Sequence, residues 1–163
     1  MASFDIVSKV EIQRLDNAIN TAKKEIMHRY DFYGSKSAIE LDKKTLNIFI
    51  LTENNMRMKA LQDVIIAHMV KQGLNPASLD MGTDQYASGN MVKKEVKIKQ
   101  GIDKETARKI VRVVKESGMK LQGTVMDDQV RVTGKKLDDL QKMIQMIRIT
   151  GFEIPLQFEN FRS

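Results

Sequence analysis

The feature that most constrains this chain is a pattern of hydrophobic periodicities that occurs twice. A strand is read from an apolar period of two and a helix from a period near 3.6. In the first pass Phe4, Ile6 and Val10 alternate with polar neighbours over a strand at 3–8, and Ile12, Leu15, Ile19, Ala22 and Ile26 share one face of a helix at 11–29. Strands at 37–41 and 45–51 follow, joined by Asp42-Lys43-Lys44, a short polar link that suits a hairpin. A helix at 55–72 carries Met58, Leu61, Ile65 and Met69 and stops at Gly73, and Leu79–Met81 is a short fourth strand.

The second pass repeats the order. Val92, Val96 and Ile98 mark a strand at 91–100; Asp103 caps a helix at 103–116 whose Ala107, Ile110, Val111 and Val114 fall at helical spacing. Strands at 119–126 and 129–133 form a hairpin through Asp127-Asp128, Leu137, Leu140, Ile144 and Ile147 mark a helix at 136–148, and Leu156–Phe161 is a last strand. Two β-α-β-β-α-β units predict an α+β fold. The expected architecture is a tandem of two ferredoxin-like or RRM-like domains, each a four-stranded antiparallel sheet with two helices on one face. The polar stretch Gly82–Asn90 is the expected boundary, giving domains 1–89 and 90–163. Periodicity leaves two pairings open for the fourth strands, within their own half or exchanged between sheets.

Charge narrows the function. The 163 residues carry 27 Lys plus Arg against 21 Asp plus Glu, a net +6. Residues 1–90 hold 11 basic and 11 acidic side chains, and residues 91–163 hold 16 and 10. The whole excess therefore lies in the second half, which points to an anionic partner. With no Cys and only two His, His28 and His68, thiolate chemistry is excluded and a transition-metal site is not expected. The longest aliphatic run, Val64–Ala67, is far short of the ~20 residues that span a bilayer. The start reads as a strand rather than a leader. A cytoplasmic protein without a membrane partner is expected.

Strands one and three of each unit lie centrally and adjacent, and the loops that follow them are expected to emerge together. In the second unit these loops are Lys99-Gln100-Gly101-Ile102-Asp103-Lys104 and Thr133-Gly134-Lys135-Lys136. Each has a Gly, a helix start and nearby Lys, the elements of an anion site. The candidate nucleotide or phosphate site is therefore Lys99, Gly101, Lys104, Thr133, Gly134 and Lys135, with Lys97 and Arg131 on the adjoining sheet face. That face is expected to show Lys93, Lys97, Lys99, Lys120 and Arg131 against Glu95. The first unit's equivalent loops lack Gly. The aromatic clusters Tyr30, Phe32, Tyr33 and Phe152, Phe158, Phe161 are read chiefly as packing, although either suits base stacking. No nucleophile motif or P-loop occurs, so an enzyme is not expected, nor is a cofactor.

Several motifs together carry a family resemblance: Ser3-Phe4-Asp5-Ile6-Val7-Ser8, Arg29-Tyr30-Asp31-Phe32, Lys99-Gln100-Gly101-Ile102, Arg131-Val132-Thr133-Gly134-Lys135 and Pro155-Leu156-Gln157-Phe158-Glu159-Asn160-Phe161-Arg162. In these the chain resembles the bacterial YajQ family from residue 3 to 162. The resemblance implies a cytosolic, non-enzymatic nucleotide-binding protein whose ligand is GTP or cyclic di-GMP, acting through a partner such as a transcription regulator. It also implies the alternative of an RNA- or tRNA-binding protein, which would use the basic sheet face.

Overall fold

The computed structural model describes residues 1–163 and contains nine strands and four helices. In chain order these are β1 (Ala2–Val7), α1 (Ile12–His28), β2 (Ala38–Asp42), β3 (Asn47–Thr52), α2 (Asn55–Lys71), β4 (Leu79–Asp80), β5 (Gln85–Ala87) and β6 (Met91–Ile98), then α3 (Lys104–Glu116), β7 (Leu121–Met126), β8 (Gln129–Gly134), α4 (Leu137–Thr150) and β9 (Gln157–Arg162). Both sheets are antiparallel, and each lies against two helices. The fold is thus α+β, consistent with two ferredoxin-like domains in tandem.

The units are not the continuous halves 1–89 and 90–163. One, the split unit, combines Met1–Lys9 with Gln100–Ser163; the other, the continuous unit, is Val10–Lys99. The split unit's sheet has the order β7-β8-β1-β9, and the continuous unit's sheet runs β2-β3-β6-β4. The fourth strands β4 and β9 stay with the helices of their own half. It is the first strands, β1 and β6, that are exchanged. The physical reason lies in what periodicity encodes. Ala2, Phe4 and Ile6 on β1 and Val92, Val96 and Ile98 on β6 are equivalent inward-facing rows, and a row of apolar residues specifies a face to bury, not the sheet that buries it.

Side chains supply the discrimination. Beside β8 and β9, Phe4 packs on Phe158 and Phe161, both with ring centroids 5.9 Å away. A bulge makes the double contact possible: Asp5 pairs with Glu159 and Ser3 with Arg162, so β9 has one extra residue. Asn160 takes that position with φ 57°, and the extra residue puts Phe158 and Phe161 on the same side of the sheet. In the continuous unit, β6 lies between β3 and β4 with Lys97 opposite Asn47 and Asp80.

Two further expectations change with this pairing. The stretch Gly82–Asn90 is no boundary, because β5 within it pairs with β6 and makes the continuous sheet five-stranded. Backbone pairing needs no apolar side chain, so the polar composition hid the strand. Gly82 has φ 60°, and a side chain there would meet the Glu95 carbonyl at 2.8 Å; Lys94 ties down the loop through Asp84 at 2.8 Å. The charge asymmetry also disappears. The continuous unit has 14 basic and 11 acidic side chains and the split unit 13 and 10, so each carries +3. No helix is long and apolar enough to cross a membrane.

The topology dictates which fragments fold. Residues 10–99 expressed alone should unfold cooperatively in urea, whereas 100–163 should not, because the central strand of its sheet is missing. A synthetic peptide of residues 1–9 should restore structure to 100–163 by circular dichroism. Cooperative folding of 100–163 without that peptide would contradict the strand exchange.

Candidate functional site

The residues that the sequence grouped as a phosphate site are divided between the two units. Lys97 and Lys99 belong to the continuous unit, where Lys97 is exposed on β6 and the Lys99 amide donates to the Ser78 carbonyl at 2.7 Å. Gly101, Lys104, Arg131, Thr133, Gly134 and Lys135 belong to the split unit. Its two central strands are antiparallel, with Ala2 opposite Gly134 and Ile6 opposite Val130. The loops after them therefore leave from opposite ends of the sheet. The Gly101 amide donates to the Ser8 carbonyl at 2.7 Å, six residues along from the level of Gly134, or about 20 Å at strand rise.

Each expected anion cradle also has a local occupant. Gly101, at φ 85°, faces Asp128, whose carboxylate oxygen would be 2.9 Å from an added Cβ. The start of α3 is capped by Asp103, which accepts from the Thr106 amide at 3.2 Å, and α4 has Asp138 and Asp139 in its first turn. These carboxylates already complement the positive ends of the helices. Gly134 is buried, and a side chain there would run into Leu121 across the ladder. Thr133 is half-buried between Ser3 and Gln122, whereas Lys104 and Lys135 are exposed. The basic sheet face is not assembled either, since β6 with Lys93 and Lys97 pairs with β3 and not with β8.

Arg131 is committed to Asp5. Its Nε donates to Asp5 Oδ1 at 2.8 Å and its Nη2 to Oδ2 at 3.3 Å, while Asn160 Nδ2 donates to Oδ2 at 2.8 Å. Asp5 is only 3 % exposed. The Arg131 hydrogen bonds hold its carboxyl below the usual aspartate range; burial opposes them and Asn160 adds to them. The Glu53 carboxyl is lowered as well. Burial pushes it up, but the Lys36 amide, the Ser35 hydroxyl and Arg57 together take it down to about 2. His68 is buried and bonded to Glu25 at 3.0 Å. These groups join elements of the fold to one another.

A concave feature suited to a small molecule lies between α4 and the segment leading into β9. It is a groove of about 670 Å³, within the ~300–1,000 Å³ of ordinary ligand sites. Ile144 and Ile147 form one wall, and Phe152, Ile154 and Leu156 the other. Gln141, Gln145 and Arg148 follow one another along its rim at positions i, i+4 and i+7 of α4. The Arg148 guanidinium sits over the Phe158 ring, 5.3 Å from its centroid, and Phe161 is 54 % exposed. Phe158 and Phe161 thus both pack on Phe4 and border the groove. The sequence signal for Arg148 was present as a polar stripe beside the apolar stripe Leu140, Ile144 and Ile147. What it lacked was the opposite wall, which exists only once β9 is docked.

Comparison with known proteins gives a consistent result. The family described as nucleotide-binding protein YajQ-like matches residues 2–162. A protein of Cytophaga hutchinsonii is 53% identical over 162 residues, covering 99% of this chain and 100% of its own length. One from Oleidesulfovibrio alaskensis is 50% identical over 163 residues, and one from Geotalea daltonii 46%, each covering 100% of both chains. All three are named nucleotide-binding protein.

The pairing of Arg131 with Asp5 makes its removal a stability experiment. Arg131→Ala leaves a buried carboxylate without its cation and should lower the urea midpoint near neutral pH. Because the native pairing depresses the Asp5 pKa, its stabilisation is present above the ordinary value of 3.8 and is lost as pH falls below it. The gap between wild type and variant should therefore narrow on acidification through that range. A gap independent of pH would remove the ion pair as its cause.

Proposed function

The chain belongs to the YajQ-like family of nucleotide-binding proteins, and from that premise we propose that it is a non-enzymatic nucleotide binder whose ligand occupies the groove between α4 and β9. One observation carries the reading: an Arg held over an aromatic ring on the rim of a groove of ligand size. The exposed Phe161 offers a face on which a base stacks, and the Arg148 guanidinium pairs with phosphate oxygens through two parallel hydrogen bonds. The titratable groups are occupied in ways that leave none for catalysis at the groove. Asp5, Glu53 and His68 are engaged in structural hydrogen bonds, and no Asp, Glu or His lines the groove. GTP and cyclic di-GMP, the nucleotides that the family resemblance implies, are the first ligands to test, and action through a partner protein would follow from binding of either.

Filling the groove tests the site. Gln145 is exposed on α4, so Gln145→Trp should leave the circular dichroism spectrum unchanged while weakening nucleotide affinity at least about tenfold in calorimetric titration. Undiminished binding by that variant would place the ligand elsewhere.

A second reading, an RNA binder, is favoured by a different observation. Helix α3 exposes Lys104, Arg108, Arg112 and Lys115 at i, i+4, i+8 and i+11 on one face, and the one ion pair on that helix is Lys109 with Glu105 at 3.8 Å. Four free cations in a row suit a phosphate backbone, which moves the RNA reading from the sheet face to this helix. For single-stranded RNA each lost phosphate contact should reduce the log–log salt slope by about 0.7. Arg108→Ala combined with Arg112→Ala should thus flatten it by about 1.4, and an unchanged slope would eliminate α3 as the contact surface.

A further inference from the structure

Within the nucleotide class, we propose that the groove selects a ligand with a single phosphate group, a nucleoside monophosphate, over the corresponding triphosphate; this rests on the groove reading given above. Cation count is the first argument. Arg148 is the one charged side chain lining the groove, and the other polar side chains on the α4 rim are the neutral amides of Gln141 and Gln145. Its place over Phe158 at 5.3 Å presents one guanidinium fork, which matches the oxygens of one phosphate. A triphosphate carries roughly twice the charge of a monophosphate at neutral pH, and no second cation lines the groove to meet it.

The backbone adds a second, independent argument. The groove lies beside the last turn of α4, where Gly151 lines it and closes the helix through a hydrogen bond from its amide to the Ile147 carbonyl at 3.3 Å. Carbonyls beyond Ile147 have no helical donor, and the partial negative charge at this end repels anions. A chain of phosphates extending toward that turn would be destabilised there. The same carbonyls, and the amide oxygens of Gln141 and Gln145, accept hydrogen bonds from a base amino group. The electrostatics therefore divide the groove into an end for one phosphate, at Arg148, and an end for a neutral donor-bearing base.

The test is calorimetric titration of the full chain with guanosine, GMP, GDP and GTP and with the matching adenine series, each with and without magnesium. Affinity should rise roughly tenfold from nucleoside to monophosphate, then fall at least about threefold from monophosphate to triphosphate. Arg148→Ala, on the exposed face of α4, should abolish the gain in affinity from nucleoside to monophosphate. Affinity that climbs with each added phosphate, yet is still lost in Gln145→Trp, would overturn the single-phosphate inference while keeping the groove as the site. Binding unaffected by Gln145→Trp would overturn the site and this inference together, as would no binding by either series.

Discussion

The structure depends on where one short strand goes. β1 is central in the split unit's sheet, flanked by β8 on one side and β9 on the other. Its Phe4 fills the core against Phe158 and Phe161 while the next residue, Asp5, points to the opposite face and binds Arg131 and Asn160. A buried carboxylate is tolerable only where a cation and further donors meet it. No such cation lies opposite the equivalent slot of the other sheet, where Glu95 of β6 pairs with Phe49 of β3. Apolar burial makes each strand a strand; polar pairing assigns it to its sheet.

That assignment also accounts for the most distinctive motif of the sequence, Pro155 to Arg162. The positive φ of Asn160 creates the bulge, the bulge aligns two Phe side chains with one core, and the Asn amide reaches Asp5. The outer surface of the same segment forms a wall of the groove proposed to hold the nucleotide. One stretch thus closes a sheet, selects its central strand and shapes a cavity.

Much of the architecture was legible along the chain. Helices with a clear apolar stripe, such as α1 and α3, and the hairpin through Asp127-Asp128 follow directly from period and turn chemistry. The strand β5 was not legible, because its three residues lie in a polar stretch with no apolar alternation and it is recognisable only through backbone pairing with β6. The candidate phosphate site suffered from a different cause. Gly101 and Gly134 are each needed for packing at their own end of an antiparallel pair, and proximity in a repeated pattern did not translate into proximity in space. Arg148 went unnoticed because its partner Phe158 and the facing wall come from a segment whose position is set by tertiary contact.

The sequence by itself determined the kind and order of the four helices and of eight of the nine strands, the α+β class and a net charge of +6. These are local or summed properties, and periodicity or composition reports them without knowledge of partners. Only the tertiary structure decided that β1 and β6 exchange sheets, that the basic excess is shared as +3 and +3, and that the two expected phosphate loops open at opposite ends of one sheet. Those outcomes turn on which equivalent apolar row sits beside which polar partner. That choice is made between residues more than a hundred positions apart, as with Asp5 and Arg131, and no local pattern encodes it.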